Sequence, residues 1–420
     1  MKNTITGRRL AEVDGLRAVA VLAVVLYHYF QAYPQYSPYG AALLPLAKYG
    51  DLGVELFFII SGFVITLSLT ERPGPLRFAL KRLARLWPAL VVCSLITFVF
   101  VHSVGSDFTQ DIRGDLSGFA ASWTFTSQRF WHSVFGFDGY VDVVYWTLAI
   151  EVRFYLLAAV ICWLVPKGRF GRVASLVLLI MQSIFAVVEF AVAGLVPQVL
   201  IDTHFLAYAH LFAAGITFAA IYSGARGKRQ GALVFWAFSV AFYRAEDNWE
   251  VAFLVLIFLA VAACALRLRV AQVLAWRPLA GLGLISYPVY LLHNYIGVTL
   301  LTLLPAGLSA EIYVLAAAVV LGGIIILSMA IFRLVEVPSQ TVVRTLMARS
   351  GARGHNGRSV AGGVRRQRLV NRTGLGKAWR DDADRGTPAL ALCADPAVCC
   401  DHLCVTFSIP FSAVVLSPAA

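Results

Sequence analysis

Apolar runs of about 20 residues recur along this chain, and that length is what a helix needs to cross a hydrocarbon core about 30 Å thick. Of its 420 residues, 59% are hydrophobic and only 14% are charged. The mean hydropathy is +0.75. A water-soluble domain of this length carries more charge on its surface. The sequence therefore predicts an all-α integral membrane protein whose core is surrounded by lipid.

Ten apolar segments are predicted to span the membrane, and the seventh of them is short for a span. An even number of spans places both termini on the same side. The segments lie at residues 15–33, 51–70, 86–104, 145–165, 173–190, 205–223, 231–243, 249–266, 281–304 and 312–335.

The distribution of Lys and Arg provides a test of this topology. Loops on the side of the N-terminus contain 17 Lys or Arg before the tail, against 4 in the opposite loops. Positive residues are concentrated in cytoplasmic loops. We therefore expect a multi-pass protein of the plasma or inner membrane, with both termini in the cytoplasm. The same concentration of Lys and Arg on the cytoplasmic side explains the net charge of +12. Nucleic acid is therefore not an expected partner.

The predicted membrane domain comprises residues 9–345, and residues 346–420 form a basic tail. Residues 344–380 contain ten Lys or Arg and no Asp or Glu, a composition typical of disordered cytosolic segments. Contact with anionic lipid headgroups is an alternative. The four tail cysteines match no zinc-ligand spacing, and no metal site is predicted. No cleavable signal peptide is expected before the first span.

The first span, with "LRAVAVLAVVLYHYF" at its centre, contains Arg17 and His28. Over the eleven residues between them, the helix turns by three full rotations plus about 20°. Both side chains are therefore predicted to share one helix face, about 16 Å apart along the axis. Ionisable groups inside a membrane are costly and often functional. The alternatives are that Arg17 extends to the headgroups and that His28 only hydrogen-bonds a neighbouring helix.

The fourth span, "YWTLAIEVRFYLL", contains Glu151 about six residues from its outer end. Arg153 points to a different face and cannot pair with Glu151 along the helix. A buried carboxylate needs a partner or a proton. We expect that partner to be His28, at a similar depth.

Two further segments carry candidate residues. In "ISYPVYLLHNYI", Ser286, Tyr290 and His293 form one helical stripe, which favours either chemistry or interhelical hydrogen bonds. In "RFALKRLARLWPAL", Arg82 and Arg85 are neighbours at i, i+3. Such a pair suits phosphate recognition, although basic residues at the cytoplasmic end of a span are also expected from topology alone.

Taken together, these motifs resemble the acyltransferase-3 family of integral membrane O-acyltransferases over about residues 9–345. The matching segments occur in the family's order: "LAEVDGLRAVAVLAVVLYHYF", "GDLGVELFFIISGFVIT", "RLAR" before "LWPAL", "WTLAIEVRFYLL" and "ISYPVYLLH". In "EVRFY", Val152 stands where the family often has an acidic or polar residue. No hydrolase-like domain is expected after the last span.

The resemblance implies transfer of an acyl group from cytoplasmic acyl-CoA, with acetyl-CoA expected, to a hydroxyl of a carbohydrate. The acceptor is then an envelope or exported polysaccharide or a glycosylated metabolite. It also implies a catalytic role for His28, Glu151 and His293, and donor binding by Arg17, Arg82 and Arg85. The sequence leaves open whether His28 accepts a proton or the acyl group. The alternative function is a proton-coupled transporter or flippase of a glycan or lipid-linked sugar.

Overall fold

In a computed structural model of the chain, the structure describes residues 10–39, 41–70, 74–137, 139–166, 168–191, 204–305 and 307–348. Within these ranges the regular elements are helices and no strand is present, which agrees with the all-α class. Most of the predicted tail lies outside the described residues, so its disorder stays a prediction.

The described ranges contain the sixteen α-helices named below, four short 3₁₀-helices, one π-helical turn and a further α-helical stretch at residues 337–348. The 3₁₀-helices are Pro34–Tyr36, Pro45–Leu52, Val143–Tyr145 and Arg269–Ala275, and the π-helical turn is Phe332–Glu336. The α-helices are α1 (Ala11–Phe30), α2 (Gly53–Thr70), α3 (Pro75–Ser103), α4 (Asp107–Ile112), α5 (Gly118–Thr124), α6 (Gln128–Phe135), α7 (Trp146–Leu164), α8 (Phe170–Ala191), α9 (His204–Ala207), α10 (Ala209–Tyr222), α11 (Lys228–Arg244), α12 (Asn248–Ala265), α13 (Arg277–Leu284), α14 (Ser286–Leu292), α15 (Tyr295–Thr302) and α16 (Ala310–Ile331).

Contacts divide the chain into two units. One unit includes Leu10–Gln340, and the elements and side chains discussed below belong to it. Of the other unit, the described residues are 341–348, and they are helical.

Seven helical segments in the described ranges are long and apolar enough to cross a membrane, which indicates a multi-pass protein. They correspond to seven of the ten predicted spans. The sixth and seventh predicted spans are the shorter helices α10 and α11, and the ninth is broken into α13, α14 and α15. The count of ten and the side of each terminus therefore stay predictions.

Helix α1 lies close to its neighbours because glycines bring the backbones together. A Cβ added at Gly283 of α13 would lie 1.8 Å from the carbonyl oxygen of Asp14, and one at Gly15 would lie 1.9 Å from that of Leu274. On the opposite side, a Cβ at Gly53 of α2 would lie 2.4 Å from the carbonyl oxygen of Ala20. No side chain fits at such distances, so these glycines fix the position of α1.

The long loop between the third and fourth predicted spans folds back along α3. The indole of Trp123 on α5 donates to Ser94 Oγ (2.9 Å), and the indole of Trp87 donates to the Trp123 carbonyl oxygen (3.2 Å). Ser94 and Trp87 are about 14 Å and 24 Å along the axis from the end of α3 at Ser103. The loop therefore reaches deep along the bundle instead of covering only its end.

Helix α7 consequently begins inside the protein. In the 3₁₀-turn Val143–Tyr145 before it, the Tyr145 hydroxyl donates to the Leu291 carbonyl (3.0 Å), and the Val144 carbonyl accepts from the Tyr290 hydroxyl (2.9 Å). Trp146, the first residue of α7, is buried. The start of α7 thus lies beside α14, in the middle of the ninth predicted span.

Candidate active site

His28 and His293 are in contact, although 265 residues separate them in sequence. His28 lies in the last turn of α1, and His293 follows the last residue of α14. The Nε2 atom of His293 lies 3.2 Å from the Nδ1 atom of His28. The two rings meet edge to face, with centroids 4.9 Å apart. His293 is fully buried, whereas His28 is partly exposed.

Backbone carbonyls determine which nitrogen of each neutral ring carries hydrogen. Nδ1 of His293 lies 2.7 Å from the Tyr290 carbonyl oxygen, and Nδ1 of His28 lies 2.9 Å from that of Val24. A carbonyl oxygen only accepts, so each Nδ1 must donate. Nε2 of His293 then accepts from the same Nδ1–H of His28. This assignment leaves Nε2 of His28 without hydrogen, so its lone pair is available to take a proton.

The position of His293 depends on the break in the ninth predicted span, and Asp142 holds that break. The Asp142 carboxylate is fully buried. It accepts hydrogen bonds from Asn294 Nδ2 (2.8 Å), the Tyr295 backbone N–H (3.0 Å) and the Val144 backbone N–H (3.1 Å). Asn294 and Tyr295 directly follow His293, so Asp142 fixes the backbone that carries it.

Aromatic side chains surround His28. The ring centroid of Tyr27 is 5.1 Å from that of His28, and the centroid of Tyr33 is 6.3 Å away. Tyr33 in turn packs against Phe108 of α4, with centroids 5.0 Å apart. Tyrosine rings combine an apolar face with a polar hydroxyl, so they can contact a ligand that has both kinds of surface.

The same group of aromatic residues continues to Tyr36, whose ring packs against Phe108 with centroids 5.1 Å apart. Its hydroxyl donates to Asp111, and this bond raises the pKa of Tyr36 to about 12. Tyr36 thus stays protonated and bonded to α4 at neutral pH.

Glu151 does not contact His28, so the expected pairing is wrong. Its Oε1 atom accepts from Ser61 Oγ of α2 (2.6 Å) and from the Tyr155 hydroxyl, one turn along α7. The prediction counted depth from the end of an apolar segment, but α7 begins inside the bundle beside α14. Glu151 follows Tyr145 by six residues and so lies about 9 Å along α7 from this contact with α14.

Arg82 lies beside this carboxylate. Its guanidinium donates to Ser68 Oγ (2.8 Å) and lies over the rings of Phe78 and Tyr155, 5.5 Å from each centroid. Tyr155 therefore contacts both Arg82 and Glu151. The positive charges of Arg82 and Arg85 also act on the Glu151 carboxylate. The catalytic acid predicted from sequence is thus grouped with a predicted donor-binding arginine.

Arg85 and Arg17 form ion pairs inside the protein. Arg85 Nε lies 3.5 Å from Glu336 Oε1, and both side chains are almost fully buried. Arg17 Nη1 lies 3.1 Å from Asp14 Oδ1, with Arg17 completely buried. The charge of Arg17 also acts on Glu336. Arg17 does not extend to the membrane surface, and its charge and that of Arg85 are offset by carboxylates.

The predicted residues therefore fall into three groups: His28 with His293, Glu151 with Arg82, and Arg17 with Arg85. Sequence reasoning missed Asp142 and Glu336. Asp142 was one of five Asp in a long loop, although it directly precedes the "VVYWTL" segment. Glu336 is a single acidic residue at the end of the last apolar segment. This position in the sequence could have indicated that its side chain is buried. No group of three His, Cys, Asp or Glu suited to a metal occurs among the described residues.

The chain matches the model of the acyltransferase-3 family, described as an acyltransferase domain, over residues 10–333. Among curated proteins, it is 31% identical over 172 residues to the peptidoglycan O-acetyltransferase OatA of Listeria monocytogenes. That match covers 37% of this chain and 25% of the relative.

Two other relatives show a similar degree of identity. The putative peptidoglycan O-acetyltransferase YrhL of Bacillus subtilis is 30% identical over 192 residues, which cover 42% of this chain and 28% of YrhL. The O-acetyltransferase OatA of Staphylococcus aureus is 30% identical over 162 residues, which cover 36% of this chain and 24% of that protein. The matches thus span about a quarter of each relative.

No solved structure matches the chain. The family model covers more than half of the chain and includes both histidines, Glu151 and the three arginines. The chain therefore belongs to the acyltransferase-3 family.

Proposed function

We propose that this protein is a membrane-embedded O-acyltransferase that uses His28 as its general base. The observation that carries the proposal is the hydrogen-bond chain in which His293 and Val24 fix the Nδ1–H of His28. This arrangement directs the unprotonated Nε2 away from those partners, within a domain of an acyltransferase family. The family assignment favours this function over the transporter or flippase.

The acceptor hydroxyl gives its proton to Nε2 of His28, and its oxygen attacks the thioester carbonyl of the donor. The C–S bond then breaks, and the leaving thiolate takes the proton back from His28. While His28 is protonated, its Nδ1–H donates to His293 and Val24, and these bonds stabilise the imidazolium. His293 is therefore the side-chain partner of His28 that we first expected Glu151 to be. An acyl-histidine intermediate is the alternative.

For the donor we propose acyl-CoA, with acetyl as the acyl group, entering from the cytoplasmic side. Arg82 is the best placed of the three predicted arginines to bind its phosphates, because it is partly exposed and held by Ser68 and two rings. Arg17 and Arg85 are neutralised by Asp14 and Glu336, so their contribution is to order this end of the bundle. Glu151 then positions Arg82 through Tyr155.

For the acceptor we propose a hydroxyl of a cell-envelope glycan. The names of two relatives point to peptidoglycan, and the aromatic side chains around His28 suit a sugar ring. We further propose ten spans, with α10, α11 and the broken α13–α15 segment as the three shorter ones, and both termini in the cytoplasm. The protein would then lie in the plasma or inner membrane.

The test is transfer of labelled acetyl from acetyl-CoA to soluble peptidoglycan fragments by the purified full-length protein, followed by mass spectrometry. We expect His28→Ala to abolish transfer while acetyl-CoA binding is retained. His102→Ala is the matched control, because His102 is exposed at the end of α3. Full transfer by His28→Ala would contradict the proposal. A trapped acetyl group on His28 would instead support the acyl-histidine route.

A further inference from the structure

Tyr33 lies beside His28 but takes no part in the proton transfers proposed for this site. The ring centroids of Tyr33 and His28 are 6.3 Å apart, and the Tyr33 ring also meets that of Phe108 edge to face, with centroids 5.0 Å apart. Tyr33 and His28 are both partly exposed, whereas His293 is fully buried. Tyr33 and His28 therefore line the accessible side of the site, where one substrate can contact both of them.

The hydroxyl of Tyr33 lies close to the segment that follows His293. The Asn294 side chain is a hydrogen-bonding partner of this hydroxyl, and the charge of Asp142 also acts on it. Asn294 Nδ2 donates to Asp142 Oδ1 (2.8 Å), and an amide nitrogen has a second hydrogen to donate. The Tyr33 side chain thus connects the chain just after α1 to the residues that hold His293 in place.

The direction of this hydrogen bond determines what the Tyr33 hydroxyl can still donate to. Among the described residues, Asn294 Oδ1 has no hydrogen-bond partner, so it does not accept from Tyr33. The amide N–H is then the donor, and the Tyr33 oxygen accepts. By contrast, the hydroxyls of Tyr145 and Tyr290 each donate to a backbone carbonyl oxygen (3.0 and 2.9 Å). The O–H of Tyr33 is therefore available to a substrate.

We propose that the Tyr33 hydroxyl donates a hydrogen bond to the thioester carbonyl oxygen of the acyl donor during transfer. Attack by the acceptor oxygen forms a C–O bond, and one electron pair of the C=O bond moves onto the carbonyl oxygen. Tyr33 keeps its proton, and its hydrogen bond stabilises the negative charge. When the C–S bond breaks, the electron pair returns to the C=O bond. This inference rests on the proposed function and assigns Tyr33 a catalytic role in it.

The contacts of Tyr33 suit this role because they fix the donor before the reaction. Phe108 packs against the ring, and Asn294 contacts the hydroxyl. A hydroxyl that accepts one hydrogen bond is polarised and donates a stronger one. The nearby Asp142 carboxylate accepts three hydrogen bonds, which offset its charge. Removal of one such preorganised donor lowers kcat about 10²–10³-fold in other enzymes that transfer acyl groups.

The test measures acetyl transfer from acetyl-CoA to soluble peptidoglycan fragments by the purified full-length protein. Tyr33→Phe keeps the ring and its contacts with His28 and Phe108. We therefore expect an unfolding temperature and a KM for acetyl-CoA close to the wild-type values, whereas kcat should fall about a hundredfold. Tyr243→Phe is the matched control and should keep the wild-type kcat, because Tyr243 is 77% exposed near the end of α11.

A second donor separates a catalytic role from a structural one. In fluoroacetyl-CoA the fluorine withdraws electrons and stabilises the charge on the carbonyl oxygen, so the loss of kcat in Tyr33→Phe should be smaller than with acetyl-CoA. An equal loss with both donors would show a structural role and overturn the inference. Wild-type kcat in Tyr33→Phe would also overturn it, and the proposed function would still stand if His28→Ala abolishes transfer. Full transfer by His28→Ala would overturn both.

Discussion

Asp142→Asn is the substitution that best tests how the histidine pair is held. The change keeps the shape of the side chain, but it replaces Oδ2 or Oδ1 by an amide nitrogen. In the native protein Oδ2 accepts from the Tyr295 backbone N–H, whereas Oδ1 accepts from Asn294 and Val144. An asparagine that keeps its oxygen at the Oδ1 position places a donor against the Tyr295 N–H.

The expected loss follows from these bonds. One charge-assisted hydrogen bond is removed and a buried N–H is left without an acceptor, which costs about 1.5–3 kcal/mol. The destabilised backbone directly follows His293. A displacement of about 1 Å at a catalytic group lowers the rate about a hundredfold. We therefore expect a clear loss of kcat together with a lower unfolding temperature.

Two measurements separate catalysis from stability. Thermal unfolding followed by tryptophan fluorescence reports the free-energy change, and acetyl transfer well below the unfolding temperature reports the rate. The KM for acetyl-CoA should stay close to the wild-type value, because Arg82 does not contact Asp142. Asp115→Asn is the matched control in the same loop, since Asp115 is exposed and its carboxylate accepts hydrogen bonds from the neighbouring Ser117. Wild-type kcat in Asp142→Asn would refute the reasoning.

Three further predictions concern the bundle and the tail. Gly283→Ala should lower stability by about 1–3 kcal/mol because its Cβ would overlap the Asp14 carbonyl, and an unchanged unfolding temperature would contradict the close packing. Glu336→Gln should cost about 3 kcal/mol by breaking the buried pair with Arg85, while the double variant with Met at both positions should unfold closer to the wild type. Truncation after residue 345 should leave acetyl transfer intact, and its loss would show that the tail is required.

Features within a single helix were accessible from the sequence. The angle between Arg17 and His28 follows from helical geometry alone, and the "ISYPVYLLH" segment placed Tyr290 and His293 close together. In the structure the Tyr290 carbonyl accepts from His293. Both inferences rest on the fixed geometry of residues a few turns apart on one helix.

Contacts between segments that are distant in sequence could not be predicted from helical geometry. Hydropathy gives the length of an apolar segment but does not show that the preceding loop folds back along α3. The depth of Glu151 was therefore misjudged, and so was its partner. Asp142 and Glu336 were missed because their importance depends on burial by helices far away in sequence. The roles of all six predicted site residues stay predictions.

The close glycine contacts of α1 bear on how substrates would reach the site that we propose. On two sides of α1 the neighbouring backbones lie so close that no added Cβ fits between them, so this helix has little freedom to rotate or slide. Any opening and closing in the proposed reaction would then occur in elements that meet α1 through side chains, such as the segment of Tyr33, which packs against His28 and against Phe108 of α4. His28 would serve as the stationary reference point of the reaction, and both substrates would move to it.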